Sequence, residues 1–167
     1  EINTERKIYC PRRVDNNWSL WASDFKDLPA SIDGTDGYVI KFMFDATEKT
    51  VIVFVDGVIV ETLVNIDPDL LKGNVGLQTE VSDAVVTKAT YTEVDSIDLF
   101  ETNIEGWVGA GNGTWNKKSI GLITTNNGGN NLAKSNLVID GTKSFEYEVT
   151  GTFTGHGFGI AFGVEND

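Results

Sequence analysis

Cysteine and histidine are nearly absent from this chain, which has one of each, Cys10 and His156, among 167 residues. A single cysteine cannot form an internal disulfide or a cysteine-rich metal cluster. A catalytic thiol or a Ser-His-Asp triad would have to use His156, and no nucleophile-elbow motif accompanies it. The sequence therefore predicts a packed or idle Cys10 and a strand or loop position for His156.

Positive charge is also scarce. The 13 Lys and Arg residues stand against 25 Asp and Glu, which gives a formal net charge of −12. An acidic surface repels phosphates, which argues against nucleic acid and anionic membranes as partners. No apolar run approaches the roughly 20 residues of a membrane span. A neutral partner such as a polysaccharide or oligosaccharide remains compatible.

The sequence also shows little helical periodicity, and it has few prolines, with three Pro against eighteen Gly. Period-2 alternation dominates instead, and it predicts a meander of strands at 38–44, 50–55 and 58–63. Asp56-Gly57 predicts a tight turn between the last two, because this pair tolerates positive φ. Asp67 and Pro68 predict one short helical turn. Further strands are predicted at 73–79, 84–94, 113–115, 120–124, 131–133, 144–150 and 157–164.

This pattern predicts an all-β chain folded as one antiparallel β-sandwich over residues 1–167, with its weakest pattern at 95–105. In the strand at 84–94, simple alternation places Val86 on the face of Lys88 and Thr90, opposite Ala89 and Tyr91.

Carboxylates offer two alternatives to pure binding. Glu93, Asp95 and Asp98 approximate the Glu-x-Asp-x-x-Glu motif of jelly-roll β-glucanases, in which alternation brings three carboxylates to one face. The last residue is one methylene short, and a solvated acidic connector is the alternative. Carboxylate oxygens that could bind a structural calcium are present at Asp33, Asp36 and Asp45, or at Glu165 and Asp167. The alternative is that these aspartates only form turns. No other cofactor is expected.

Four tryptophans in an acidic β protein fit sugar binding, because the apolar faces of sugar rings stack on aromatic side chains. Burial in the core is the alternative for each. Arg12 and Arg13 could donate hydrogen bonds to sugar hydroxyls or remain solvated. The tryptophans are Trp18, Trp21, Trp107 and Trp115.

Two stretches resemble the halves of a concanavalin-A-like jelly roll. Residues 106–115, 144–149 and 157–163 are similar to its opening half, and residues 38–63 with Gly73-Asn74-Val75-Gly76-Leu77 to its closing half. The family resembled is that of the fructan-binding modules of levanases, family 66 of the carbohydrate-binding modules. The resemblance implies a secreted, non-catalytic module that targets a glycan-active enzyme to a fructan or another neutral glycan. An extracellular adhesion or protein-interaction domain is the alternative, and a glycoside hydrolase fragment the third.

The two halves stand in reversed order, with the closing half at 1–94 and the opening half at 99–167. Three explanations of this reversed order are open. The chain is a circular permutant, it is a fragment cut out of phase from a tandem array, or its numbering departs from the native order. Because sandwich termini lie close together, a permutant predicts that Asp167 approaches Glu1 and that the strand at 158–164 lies beside a strand at Ile2. A tandem fragment predicts a swapped neighbour module instead.

The resemblance also implies a pocket for a terminal sugar of a polysaccharide. Acidic residues at the end of the last strand are expected to meet the start of the chain and the strand that follows Gly76. The ligand-binding residues expected on this basis are Glu165, Asp167, Asn3 and Glu80, with Trp18 and Arg12 next in line.

Overall fold

The computed structural model describes residues 2–14, 17–20, 25–93, 96–100, 104–109, 114–125 and 129–164. Two short 3-10 turns, Pro68–Leu70 and Ile104–Gly106, are the helical elements of these ranges, and neither has the length to cross a bilayer. The strands are β1 (Ile2–Asn3), β2 (Lys7–Ile8), β3 (Pro11–Val14), β4 (Asn17–Leu20), β5 (Lys26–Asp27), β6 (Tyr38–Asp45), β7 (Thr50–Val55), β8 (Val58–Leu63), β9 (Gly73–Thr92), β10 (Ser96–Asp98), β11 (Val108–Gly109), β12 (Trp115–Lys118), β13 (Gly121–Thr124), β14 (Asn130–Ile139) and β15 (Phe145–Val164).

Two long antiparallel strands, β9 and β15, form the spine of the fold. They pair from Glu146 opposite Thr92 to Val164 opposite Asn74. The expectation of two separate strands in each of these segments was wrong. The pattern weakens near Ser82 and Gly155 because the strands bend there, with Gly155 at φ 124°, but the pairing continues through the bend.

The spine carries strands into two layers. In the first layer, the initial part of β15 pairs with β6, and the meander β6-β7-β8 follows in order. In the second layer, the final part of β15 pairs with β1, and β1 leads to β2 and β5. On the other side of the spine, β9 pairs with β10, β13 and β14. The result is the all-β antiparallel sandwich that the sequence predicts.

The core lies between these layers and is rich in aromatic rings. Phe42 of β6 and Phe162 of β15 lie 4.1 Å apart between ring centroids, and Tyr147 meets Phe162 edge-on at 5.7 Å. Burial of such side chains stabilises the fold by about 1.5–3 kcal/mol each. The buried side chains of β6 are Tyr38, Ile40, Phe42 and Phe44, which is the alternation of a strand that the sequence predicts for 38–44.

The two turns predicted from the sequence are also confirmed. Asp56 (φ 49°) and Gly57 (φ 77°) both have positive φ between β7 and β8, and the Asp56 Oδ1 accepts a hydrogen bond of 2.8 Å from the Val39 N–H. Asp67 caps the first 3-10 turn by accepting from the Asp69 N–H at 3.1 Å, with Pro68 at the first position.

The face predicted for Val86 was wrong. Lys88 pairs with Thr150 and Val86 with the next residue, Gly151, so Thr87 is an extra residue in the ladder. A bulge of this kind reverses the alternation that follows it. Val86 is consequently buried, on the same inner face as Ala89.

The beginning of the chain and its last described strand are neighbours. Ile2 pairs with Phe158 and Asn3 with Gly157, which confirms the predicted contact between these segments. Buried side chains from both sequence halves belong to one core cluster. The permuted origin and the division at 94–99 stay predictions, and the expected approach of Asp167 to Glu1 lies outside the described residues.

Candidate functional site

The site expected around Asn3 and Glu80 centres on Gly157 of β15. Asn3 of β1 pairs with Gly157 on one side, and Glu80 of β9 pairs with it on the other. Directly opposed residues of antiparallel strands direct their side chains to the same face. Asn3 and Glu80 therefore share a face, with Cα atoms about 10 Å apart and no side chain from Gly157 between them.

An aromatic pair adjoins these polar groups. The Tyr9 hydroxyl donates a hydrogen bond of 3.2 Å to Glu80 Oε2, and the Tyr9 ring lies 4.7 Å from the Phe25 ring between centroids. Phe25 is 51% exposed, so its ring is accessible to a ligand. Neither residue was predicted, because Tyr9 and Phe25 lie outside the strongly alternating segments and meet only in three dimensions.

The polar groups of this face differ in what they offer a ligand. Asn3 Oδ1 already accepts a hydrogen bond of 2.9 Å from the Lys7 N–H. Asn3 therefore has its amide N–H groups to donate. Glu80 is an acceptor, and one of its two oxygens is held by Tyr9.

Backbone strain lies beside Glu80. The next residue, Val81, has a φ of 46°, which is an outlier for a β-branched residue. Ser82 Oγ stabilises the distortion by donating to the Glu80 carbonyl at 2.7 Å and accepting from the Gly157 N–H at 2.9 Å. Strain of about 1–3 kcal/mol that the surroundings hold in place is common at binding sites.

The side chains of the other expected ligand-binding residues lie outside the described part of the structure. Glu165 and Asp167 lie outside the described residues. Arg12 and Trp18 lie on the hairpin β3-β4, where Arg12 pairs with Ser19 and Trp18 with Arg13, and only the backbone of this hairpin is described. The roles of these four residues in binding stay predictions.

The acidic motif at 93–98 is described only in part. Glu93 accepts hydrogen bonds from Lys143 Nζ at 3.0 Å and from the Tyr91 hydroxyl at 2.9 Å. The pKa of Glu93 lies below its usual value, chiefly because of the hydrogen bond from Lys143 and to a smaller extent because of the one from Tyr91. Asp95 lies outside the described residues, and the side chain of Asp98 is not described. The hydrolase alternative stays a prediction.

The aspartates considered for calcium form turns. Asp33 Oδ1 accepts from the Thr35 N–H at 2.9 Å, and Asp45 Oδ1 accepts from the N–H groups of Thr47 and Glu48. Within the described ranges, no three His, Cys, Asp or Glu side chains are grouped so that they could hold a metal ion. A structural calcium stays a prediction.

Trp107 and Cys10 pack against the core, and His156 lies on a strand. Trp107 is 2% exposed and packs edge-on against Phe100, with ring centroids 5.6 Å apart. Cys10 packs against the core, and burial raises the pKa of its thiol. His156 is an exposed residue of β15. The packed Cys10 and the strand position of His156 are therefore confirmed.

A second surface is apolar. On the side of the first layer that faces away from the core, Met43 pairs with Ile52, and Phe54 pairs with Ile59. Ile59 is 57% exposed and the other three are partly exposed. We call these four residues the outer apolar face. Lys41 Nζ lies 4.6 Å from the centroid of the Phe54 ring, at the margin of this face.

The class that these observations define is that of all-β antiparallel sandwich proteins. No protein-family model and no curated protein matches the chain.

Proposed function

We propose that the chain is a non-catalytic carbohydrate-binding domain and that its site is the face shared by Asn3, Glu80, Tyr9 and Phe25. The observation that carries the proposal is the hydrogen bond between Tyr9 and Glu80, which joins the half-buried Tyr9 and the exposed Phe25 that it contacts to a carboxylate beside Gly157. The proposed site also includes Glu165, Asp167, Trp18 and Arg12.

The chemistry of these groups matches that of a sugar. Phe25 offers an exposed ring on which the apolar face of a pyranose or furanose can stack. The free oxygen of Glu80 can accept hydrogen bonds from hydroxyls, and the Asn3 amide can donate to a hydroxyl or ring oxygen. A neutral glycan also avoids the repulsion that a net charge of −12 imposes on anionic ligands.

The parent protein in this proposal is a secreted glycan-active enzyme, and its substrate is fructan-like or another neutral polysaccharide. This part rests on the resemblance to the levanase modules. The proposal includes no catalytic residue, and a neighbouring tandem or swapped module is compatible with it.

Affinity-gel electrophoresis against levan, inulin and β-glucans tests the proposal. We expect retardation by at least one polysaccharide, and loss of it in Phe25→Ala and in Glu80→Gln. Ile120→Ala is the matched control for the first variant, because Ile120 is also an exposed apolar residue, at 57%. Glu48→Gln is the control for the second, at an exposed turn. Equal migration of wild type in every gel would contradict the proposal.

The second candidate function is a protein-interaction domain that uses the outer apolar face. Contiguous apolar residues on one sheet favour it, and the net charge of −12 selects a basic partner over a second copy of the chain. Titration with a cationic amphipathic peptide, followed by amide NMR, tests this candidate. Shifts centred on Phe54 and Ile59 that are lost in Phe54→Ala would support it, and their absence would contradict it.

A further inference from the structure

Among the described strands, β8 is the longest that pairs on one side only. It runs over Val58–Leu63, and its one partner among these strands is β7. The free backbone of such an edge is a template for another strand, and lysine or proline on the edge commonly prevents the pairing. β8 contains neither residue type, and Glu61 is its one charged residue. Glu61 is therefore the one residue of β8 whose charge can protect this edge.

Glu61 lies on the face of β8 that points into the sandwich. It pairs with Val53 of β7, and Val53 pairs with Phe42 of β6. Phe42 pairs in turn with Tyr147 of β15. Directly opposed residues share a face of the sheet, and all four of these side chains are buried. A carboxylate therefore ends a row of core side chains at the free side of the first layer.

Lys26 ends the corresponding row of the second layer. The buried Phe158 of β15 pairs with Ile2 of β1, and Ile2 pairs with Ile8 of β2. Ile8 pairs in turn with Lys26 of β5. The Lys26 ammonium group meets Glu61 Oε2 at 2.6 Å across the gap between β5 and β8. We call this gap the seam, and both of its edges end a core row in a charged residue.

The other oxygen of Glu61 holds a backbone donor of the β8 edge. Glu61 Oε1 accepts a hydrogen bond of 2.8 Å from the Thr62 N–H. Because β7 occupies one side of β8, the carboxylate reaches this N–H from the free side. Val60 is in addition an extra residue of the ladder, since Glu61 pairs with Val53 and Ile59 with the next residue of β7. An approaching strand would therefore meet a bulge and an N–H that is already bonded.

We propose that Lys26 and Glu61 form a lock that keeps β8 from pairing with β8 of a second copy of the chain. A strand that adds to β8 has to take the Thr62 N–H from Glu61 and displace Lys26 from the seam. That displacement leaves a buried carboxylate without its partners, which is strongly unfavourable. Without the lock, two copies offer each other the same uncharged strand and the same free backbone, which suits antiparallel pairing about a two-fold axis. This device is independent of the proposed carbohydrate function.

The experiment is sedimentation velocity of the whole chain, as wild type and as the double variant Lys26→Met with Glu61→Leu. Apolar side chains replace the ion pair in this variant, and its net charge is unchanged. We expect wild type to sediment as a monomer and the double variant to double its mass at the same concentration. Glu61→Thr serves as a second test of the same kind, because its side chain is too short to reach across the seam. Circular dichroism shows which variants keep their β structure.

Two further variants decide whether association uses the edge of β8. Thr62→Pro, added to the unlocked double variant, removes the N–H that a second strand would need, and we expect it to restore the monomer. Lys7→Met with Glu5→Leu is the matched control, because it removes an exposed ion pair of 3.0 Å away from the seam. This control is expected to stay monomeric. A folded double variant that stays monomeric would overturn the proposal, as would a wild type that dimerises, a control that dimerises, or a dimer that persists with Thr62→Pro.

Discussion

Lys26 Nζ lies 2.6 Å from Glu61 Oε2, and this ion pair joins the two layers of the sandwich. Glu61 belongs to β8, which pairs only with β7 among the described strands, and Lys26 belongs to β5, which pairs only with β2. Both strands are therefore edges of their layers. The carboxylate is buried, at 7% exposure, while the side chain of Lys26 is 52% exposed.

Removal of Lys26 should destabilise the fold, because it leaves the buried Glu61 carboxylate without its partner. We expect Lys26→Met to lower the free energy of unfolding by about 1–3 kcal/mol, less than for a fully buried pair because Lys26 is half exposed. Urea denaturation measures the change. Lys7→Met, which breaks an exposed pair with Glu5 at 3.0 Å, should cost much less, because water screens that pair. A double variant, Lys26→Met with Glu61→Leu, should recover most of the loss.

Truncation of Phe42 should be costly, because its ring packs between the layers against Phe162. We expect Phe42→Ala to lower the free energy of unfolding by about 3–5 kcal/mol. Phe25→Ala, at a position with 51% exposure, should lower it by less than about 1 kcal/mol. Comparable losses in the two variants would contradict this assignment of core and surface. The comparison also establishes that the binding variant Phe25→Ala is folded.

Gly121 should not tolerate alanine. A Cβ at this position would overlap the carbonyl oxygen of Val86, and the φ of 128° is strained for any side chain. We expect Gly121→Ala to destabilise the fold by more than about 2 kcal/mol. Gly57→Ala meets no atom within 4 Å and should cost only about 1 kcal/mol for its positive φ. Thermal unfolding of the two variants separates steric overlap from backbone preference.

The pKa of Glu93 should respond to Lys143. Because the folded-state pKa of Glu93 is lowered, its contribution to stability is present above the unfolded value of about 4.3 and is lost as pH falls through the folded pKa. Carboxyl chemical shifts followed by NMR over this range should give a midpoint below the usual one for glutamate. In Lys143→Met the midpoint should rise, and in Glu48→Gln that of Glu93 should not move.

The sequence predicted the elements whose pattern is local. The meander β6-β7-β8 follows from uninterrupted alternation and from Asp56-Gly57, and Asp67 and Pro68 mark their turn on their own. The continuity of β9 and β15 was missed because a bend interrupts alternation without ending the ladder. The face of Val86 was missed because the extra residue Thr87 is defined only by pairing with Thr150 and Gly151.

The sequence predicted only the part of the candidate site that follows from which strands are neighbours. Asn3 and Glu80 were expected to approach the last strand, and their pairing with Gly157 places both beside it. Tyr9 and Phe25 reach the site through the arrangement of β2 and β5, for which no local pattern exists. Their one sequence signal is that Phe25 is a large aromatic residue next to charged residues.

The shared spine has a consequence for how the chain folds and unfolds. β15 supplies a central strand to both layers, and its partners are remote in sequence, as in the pairing of Phe145 with Phe44 and of Phe158 with Ile2. Closing such long loops costs entropy before the contacts are gained, so folding is slow compared with that of helical proteins. Because β6 and β1 pair with β15 and not with β9 among the described strands, both layers lose their connection to β9 without β15, and we expect them to melt in one cooperative transition.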